Sequence, residues 1–495
     1  MPQADDGGLL IDARDYYRAF YLAAREARRY ILIAGWRFNS DVRLLRGPDA
    51  DEPGEEVEFL PFLSRLCQEK PELHVYVLAW DFSLIFAREW ELFQEWKFQQ
   101  APPERLVFRF DDQHAVGASH HQKFVVIDGQ IGFVGGLDFN ADDWDDRRHL
   151  AHNPLRADSG RPPHKPYHDI QACVAGPAAA ELADYFGRRW ERSGGGKLEM
   201  PPLPSAQPPT VEPTIRLPPN PVALSLTQPG MPSQGADHRQ IRQLYLDAIA
   251  AADELIYIEN QYFSSQAVCQ ALIDRMRAAD RPTIEIVLVL PKQCNSWVEA
   301  VTVGLPRIPI LDALWETARE TGHQLGVYYT TALRDDGQEV LVVLHSKLMI
   351  VDDRLLTVGS CNTSNRSMGL DTELNATWEA DANGNDLVRS IRRARVSLLA
   401  EHCGLPEETP ELQRPHGLVE YLDGLADART GRLRRLTREA IFDDQEWLKH
   451  VERMGLSFDP GAPLMDEEDY ESMRPSSDSL LDRGLRWFKA QFSDR

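Results

Sequence analysis

Apolar residues in this chain gather into short runs separated by amphipathic stretches, and the order of these segments occurs twice. Leu9, Tyr16, Phe20, Leu22, Ala23 and Ala27 recur at helical spacing and predict a helix over 9–30. Tyr30 to Trp36 reads as a buried strand, 61–69 as a helix and His74 to Trp80 as a second strand. Phe86, Trp90, Phe93 and Trp96 put aromatic rings at helical spacing between 82 and 98. That is a helix face packed on a sheet, with a lipid-gripping surface as the alternative. Val107 to Phe110 is a third strand. Val125 to Ile127 and Ile131 to Val134 are short strands joined by the turn Asp128-Gly129-Gln130. A polar insertion over 142–165 precedes a strand over 170–174 and a helix over 178–191.

The second half repeats this order. A helix is expected over 237–252, a strand over 254–258, a helix over 267–278 and a strand over 284–290, with 325–329 leading onward. Between the halves, roughly a third of residues 201–234 are proline, so an extended linker without regular structure is expected. The predicted fold class is α/β: two lobes related by a pseudo-twofold axis, each a mostly parallel central sheet flanked by helices. The lobes span 1–200 and 236–405, joined by the linker 201–235 and followed by an acidic extension, 406–495, of no assigned role. In that extension Leu481, Leu485, Phe488 and Phe492 share a helical face, which predicts a terminal helix docked on the body, with membrane-surface contact as the alternative.

The repeat is sharpest at two motifs. His121-Gln122-Lys123 leads through four residues to Asp128 and, through six more, to Gly135-Gly136-Leu137-Asp138. His345-Ser346-Lys347 leads at the same offsets to Asp352 and Gly359-Ser360-Cys361-Asn362. Two copies with one glycine offset and one apolar run indicate an internal duplication. Each half then supplies one histidine and one lysine, two residues apart at the start of a strand and so on one face.

Composition narrows the partners. The hydrophobic fraction of 43% and the charged fraction of 26% suit a globular protein, and no apolar run reaches the length of a membrane span. The first residues lack a secretory signal pattern. These features predict a cytoplasmic or peripheral-membrane protein without a transmembrane anchor, export without a cleaved signal remaining open. The net charge of −23 disfavours a general nucleic-acid binder and tight docking on anionic membranes. The six cysteines are scattered and form no Cys-x-x-Cys pair, so buried thiols are expected. No cluster of metal ligands is visible, and no cofactor is expected.

The duplicated His-x-Lys-x4-Asp resembles the signature of the phospholipase D superfamily. His120 to Lys123, Phe133 to Asp138, Trp144-Asp145 and Tyr167-His168-Asp169 are similar to the first half of its phosphatidylcholine-hydrolysing branch. Ile258 to Phe263, Asn365-Arg366-Ser367, Glu373 and Glu401-His402 resemble the second half. The similarity runs from about residue 10 to 405. Before Trp144 the family tends to carry Gly-Arg, where this chain has Asp142-Asp143, a change that points toward a cationic head group such as choline.

Phosphodiester cleavage needs a nucleophile, an acid for the leaving group and positive charge around the phosphate oxygens. Histidine can fill the first two roles because its pKa sits near neutrality. Two lysines supply the charge. The resemblance implies that one histidine attacks phosphorus to form a phosphohistidine. The other protonates the departing alcohol, then activates water or a second alcohol. By similarity His121 is the nucleophile and His345 the general acid/base, although the symmetry of the sequence does not decide the order. Lys123 and Lys347 bind phosphate; Asn362, Asp138, Ser360 and Gly136 line the substrate position. Asp169 and Glu373, opening the strand after each motif, are the candidate orienters of the histidines. Asp128 and Asp352 read as structural anchors. His114, His120, His164 and His168 are given no catalytic part.

The expected activity is phospholipase D hydrolysis of a glycerophospholipid at a membrane surface, with transphosphatidylation to alcohols. The alternatives are a phosphatidyltransferase of the cardiolipin synthase type and a metal-independent nucleic-acid phosphodiesterase. One chain holds both motifs, so a monomer suffices for one site.

Overall fold

After each motif the chain forms a hairpin. Phe124–Ile127 pairs antiparallel with Ile131–Gly135, and Lys347–Val351 with Leu355–Gly359. The turns between them are too short for anything but antiparallel pairing. In this computed structural model the described residues are 1–50, 56–81, 94–158, 160–200, 209–230, 237–294, 299–381, 385–443 and 459–462. Most of the aromatic stretch 82–98 and the expected terminal helix over 481–492 lie outside them; Gln94–Gln100 is a helix.

Each hairpin sits in the middle of a large sheet. The first sheet has the order Ile215–Leu217, Gly7–Ile11, Ile170–Ala175, Ile131–Gly135, Phe124–Ile127, Tyr30–Gly35, His74–Trp80, Leu106–Asp111. The second runs His238–Arg239, Ala223–Gln228, Glu373–Glu379, Leu355–Gly359, Lys347–Val351, Leu255–Asn260, Glu285–Val289, Gln324–Leu333, Glu339–Leu341. From Gly7–Ile11 and from Ala223–Gln228 onward the two orders match strand for strand, which is the duplication seen in three dimensions.

The α/β class stands, but the sheets are mixed and not mostly parallel. Five of the seven pairings in the first sheet are antiparallel. Within the two large sheets, parallel pairing is confined to His74–Trp80 with its neighbours Tyr30–Gly35 and Leu106–Asp111, and to their counterparts in the second lobe. The connections between those strands are long enough for a crossover.

Two further expectations change. The first helix begins at Asp12, because Gly7–Ile11 is a buried strand against Ile170–Ala175. The proline-rich stretch is not devoid of regular structure: Ile215–Leu217 edges the first sheet, and Ala223–Gln228 pairs with Glu373–Glu379 in the second. Prolines fall at the ends of these strands or outside them, where no ladder N–H is lost. Past residue 405, helix Leu418–Ala428 is followed by Leu433–Arg435, which adds to the second sheet beside Gln324–Leu333.

The two sheets face each other. One core cluster joins Leu32, Val126 and Val174 of the first to Tyr257, Ile350 and Val358 of the second, with helices Pro177–Trp190 and Asn385–Cys403 in the same layer. The outer faces are covered by Asp12–Glu26 and Phe59–Glu69 on one side, and by Gln240–Ala251, Gln266–Arg277 and Arg307–Thr321 on the other. Ile131–Gly135 and Ile170–Ala175 pack against Leu355–Gly359 and Glu373–Glu379. The motifs therefore open onto the seam between the lobes.

Candidate active site

Each motif histidine is held by a carboxylate of the other lobe. His121 Nδ1 lies 3.1 Å from both Glu373 oxygens and 3.1 Å from the Ser360 carbonyl. His345 Nδ1 lies 2.6 Å from Asp169 Oδ2. Backbone pairing enforces the exchange. The His121 N–H donates to Thr372 O at 3.0 Å, and the His345 N–H to His168 O at 2.8 Å. Acceptors at Nδ1 place the proton there and leave Nε2 with a free lone pair.

Both imidazoles are shifted well below the ordinary histidine range, first by burial and then by the nearby Lys123 and Lys347 charges. Their side chains keep 16% and 15% exposure, enough for a substrate to reach them. Lys123 Nζ donates to His121 O at 3.1 Å and faces Asp138 Oδ2 at 3.5 Å. Lys347 Nζ donates to Gln261 Oε1 at 2.9 Å and lies 3.0 Å from His345 Nδ1. Burial lowers Lys347 to about 7, against the opposing pull of Asp169. Burial also raises Asp169 to about 7 and Glu373 to about 8.

The remaining expected residues divide by what they touch. A Cβ on Gly136 would come within 2.3 Å of Asp169 Oδ1, so glycine there makes room for the orienter. Ser360 Oγ donates to Glu373 Oε2 at 2.5 Å. These two residues contact the orienting carboxylates. Asp138 accepts the Trp36 N–H at 2.9 Å and turns its other oxygen to Lys123. Asn362, at the matching place, is buried with Oδ1 lacking a hydrogen-bond partner among the described residues. Asp128 accepts the N–H groups of Arg28, Arg29 and Tyr30 at 2.7–2.8 Å. Asp352 does the same for Asp253, Glu254 and Leu255 at 2.7–2.8 Å. Both have a positive φ, 54° and 53°. They tie the hairpin turn to the start of the neighbouring strand, away from the histidines.

Three features were missed in the sequence. Gln261 is the partner of Lys347, and it also lines a small cleft with Lys165, Tyr262 and Lys292. The polar insertion is partly interior: Trp144, Asp145, Asp146, His149 and Arg156 are buried. Asp143 is buried against Arg37 at 3.1 Å, while Asp142 stays exposed, so only one of the two acids faces solvent. Finally, the expectation of no clustered metal ligands is corrected. Asp12, His149, His168 and Glu401, drawn from both halves of the sequence, bring one donor atom each within 4.8 Å of one another; His168, Glu259 and His402 form a second such group. Chain folding assembles these groups, and no local spacing announces them.

The model described as "Phospholipase D" matches residues 23–208, and that described as "Cardiolipin synthase, PLD-like domain" matches 245–393. The chain belongs to the phospholipase D superfamily. Each half carries one superfamily match, in keeping with the duplicated sheets. Phospholipase D alpha 3 of Arabidopsis thaliana is 24% identical over 82% of this chain and 65% of its own length. Phospholipase D A of Dictyostelium discoideum is 26% identical over 82% of this chain and 36% of its own. The chain thus spans less than two thirds of either relative. The crystal structure of phosphatidylserine synthase from Haemophilus influenzae Rd KW20 shares the fold, with a TM-score of 0.50 at 18% identity, covering 87% of this chain and 95% of that one.

Proposed function

We propose that this chain is a phospholipase D, a phosphodiesterase that cleaves the distal phosphodiester of phosphatidylcholine-like lipids to phosphatidic acid and free head group. The observation that carries this reading is the crossed pairing of His121 with Glu373 and His345 with Asp169, which sets two histidines and two lysines around one seam.

His121 Nε2 attacks phosphorus, and the bond from phosphorus to the head-group oxygen breaks. His345 gives that oxygen its proton. Water then enters, His345 takes its proton, and the phosphorus–nitrogen bond breaks to release phosphatidic acid. An alcohol in place of water yields the transfer product. Lys123 and Lys347 hold the phosphate oxygens and offset charge as it develops. The bound phosphate also partly neutralises the two ammonium groups that depress His345, so substrate binding favours the protonated acid. Glu373 and Asp169 orient the rings and stabilise each imidazolium. No helix among the described residues is long and apolar enough to cross a membrane, and the enzyme is taken to meet its lipid at a membrane surface.

A second reading is phosphatidyl transfer as the main reaction, supported by the description of the model that matches 245–393. The test is phosphatidylcholine vesicles with EDTA, with and without ethanol, scored for choline and phosphatidylethanol. Choline release that survives EDTA and disappears in both His121→Asn and His345→Asn is expected. Persistence in both variants would remove these motifs as the site. Efficient conversion of phosphatidylglycerol to cardiolipin, with little hydrolysis, would favour transfer.

A further inference from the structure

The two catalytic histidines have different surroundings. Residue 372, before Glu373, is threonine; its counterpart before Asp169 is His168. His168 is fully buried. Its Nε2 lies 3.0 Å from Glu259 Oε2, and its Nδ1 lies 3.1 Å from Asp12 Oδ1 and 3.0 Å from Glu401 Oε1. Both ring nitrogens thus lie within ion-pair distance of carboxylates, Nε2 in hydrogen-bond geometry with Glu259 and Nδ1 by proximity alone, surroundings that favour a positively charged ring.

Three ties run from this ring to the second motif. The His168 carbonyl accepts the His345 N–H at 2.8 Å. Asp169, the next residue, holds His345 Nδ1 at 2.6 Å. Glu259, the carboxylate on Nε2, accepts from Ser346 Oγ at 2.9 Å. The box is itself closed. Glu401 is held by Arg147 at 2.5 Å and by His149 at 2.8 Å, His149 by Asp145 at 3.0 Å, and Glu259 by His402 at 3.1 Å. Asp12 N–H donates to Asp169 O at 2.8 Å, so the carboxylate on Nδ1 and the orienter of His345 share one backbone link.

We propose that His168 is a positioning residue for His345: its ring, clamped by Asp12, Glu259 and Glu401, fixes Asp169 and the His345-Ser346-Lys347 segment so that His345 presents its proton to the leaving group. His121 has no equivalent clamp, because Thr372 stands in that place and bonds His120 instead, at 2.9 Å. The inference rests on the two-histidine reading above and adds a source of difference between the two rings.

The leaving group separates this role from a merely structural one. Choline needs a proton to depart; p-nitrophenolate does not. First-turnover release is measured by rapid quench for the full chain with phosphatidylcholine and with phosphatidyl-p-nitrophenol. In His168→Gln, choline release is expected to slow about 10–100-fold while p-nitrophenol release stays within about threefold of wild type. Equal losses on both substrates, or none on either, would overturn the proposal. If His168→Gln does not fold by circular dichroism, Glu259→Gln is judged by the same split. A divalent metal bound at one per chain in this cluster would also overturn it, since a metal would replace an N–H on His168. Choline release that survives His345→Asn would instead sink the two-histidine reading, and the inference with it.

Discussion

Glu373 Oε1 stands 3.1 Å from His121 Nδ1 although 252 positions separate the two residues, and Asp169 reaches His345 across 176 in the opposite direction. An amide in place of either carboxylate keeps the shape but cannot stabilise an imidazolium. Glu373→Gln and Asp169→Asn are each expected to lower kcat by about 10²–10⁴-fold with KM within a few-fold. Steady-state choline release from mixed micelles checks this. A variant within threefold of wild type would remove that carboxylate as an orienter.

Lys347 sets a pH limit on binding. Burial brings its ammonium to about 7 in the free protein, so it loses its proton as pH rises through neutrality. Glycerophosphocholine remains a monoanion over this range and serves as a probe of phosphate binding. Its inhibition constant is expected to rise about tenfold between about pH 6.5 and pH 8.5. Lys347→Arg, which holds its charge throughout, should flatten that profile. A flat profile in the wild-type protein would contradict the role.

Glu373 links pH to stability. Its folded pKa is raised to about 8 from the ordinary 4.5, first by burial. Below about pH 4 the group is protonated in both states, and nothing is lost; as pH rises through about 8 the folded state must give up a proton it holds more tightly than the unfolded chain does. The contribution to stability is therefore present in acid and lost on the alkaline side. Glu373→Gln, slowed in turnover by the argument above, is expected to melt about 2–4 °C higher at about pH 8 and to gain little at about pH 5. Differential scanning calorimetry at the two pH values decides it.

Asp128 tests the division between anchor and catalyst. Its carboxylate serves three backbone N–H groups at 2.7–2.8 Å, and none of its bonds reaches His121. Asp128→Ala is expected to cost about 2–4 kcal/mol of stability, read from the urea midpoint. Turnover per folded molecule should remain within about twofold of wild type. A kcat loss beyond tenfold in the folded fraction would move Asp128 into the catalytic set.

Local pattern carried much of the fold into view. The apolar runs around Ile31, Val75, Val126 and Ile286 are long or alternating enough to read as strands, and the motif repeat paired the halves. Strand direction was less accessible, because it depends on which distant segments become neighbours. Gly7–Ile11 carries two glycines and merges with a helical pattern, and Ala223–Gln228 sits among prolines, so neither announced itself as a strand. In the site, His121, Lys123, His345 and Lys347 were legible because a spacing repeats. Asp169 and Glu373 were legible by position, but not the lobe each one serves. The cluster around His168 was invisible as a cluster: its members come from a strand-to-helix junction, an insertion, two strands and a late helix.

The crossing of the carboxylates has an evolutionary meaning. Two identical half-chains assembled about a true twofold axis would give both histidines the same partner, and neither ring could specialise without the other changing too. Joining the halves in one polypeptide removes that constraint. Here one ring leans on an aspartate with a glycine beside it, and the other on a glutamate with a serine beside it. On the proposed reading, fusion is what lets a symmetric pair divide into an attacker and a proton carrier. It also made each half dependent on a residue that only the other encodes.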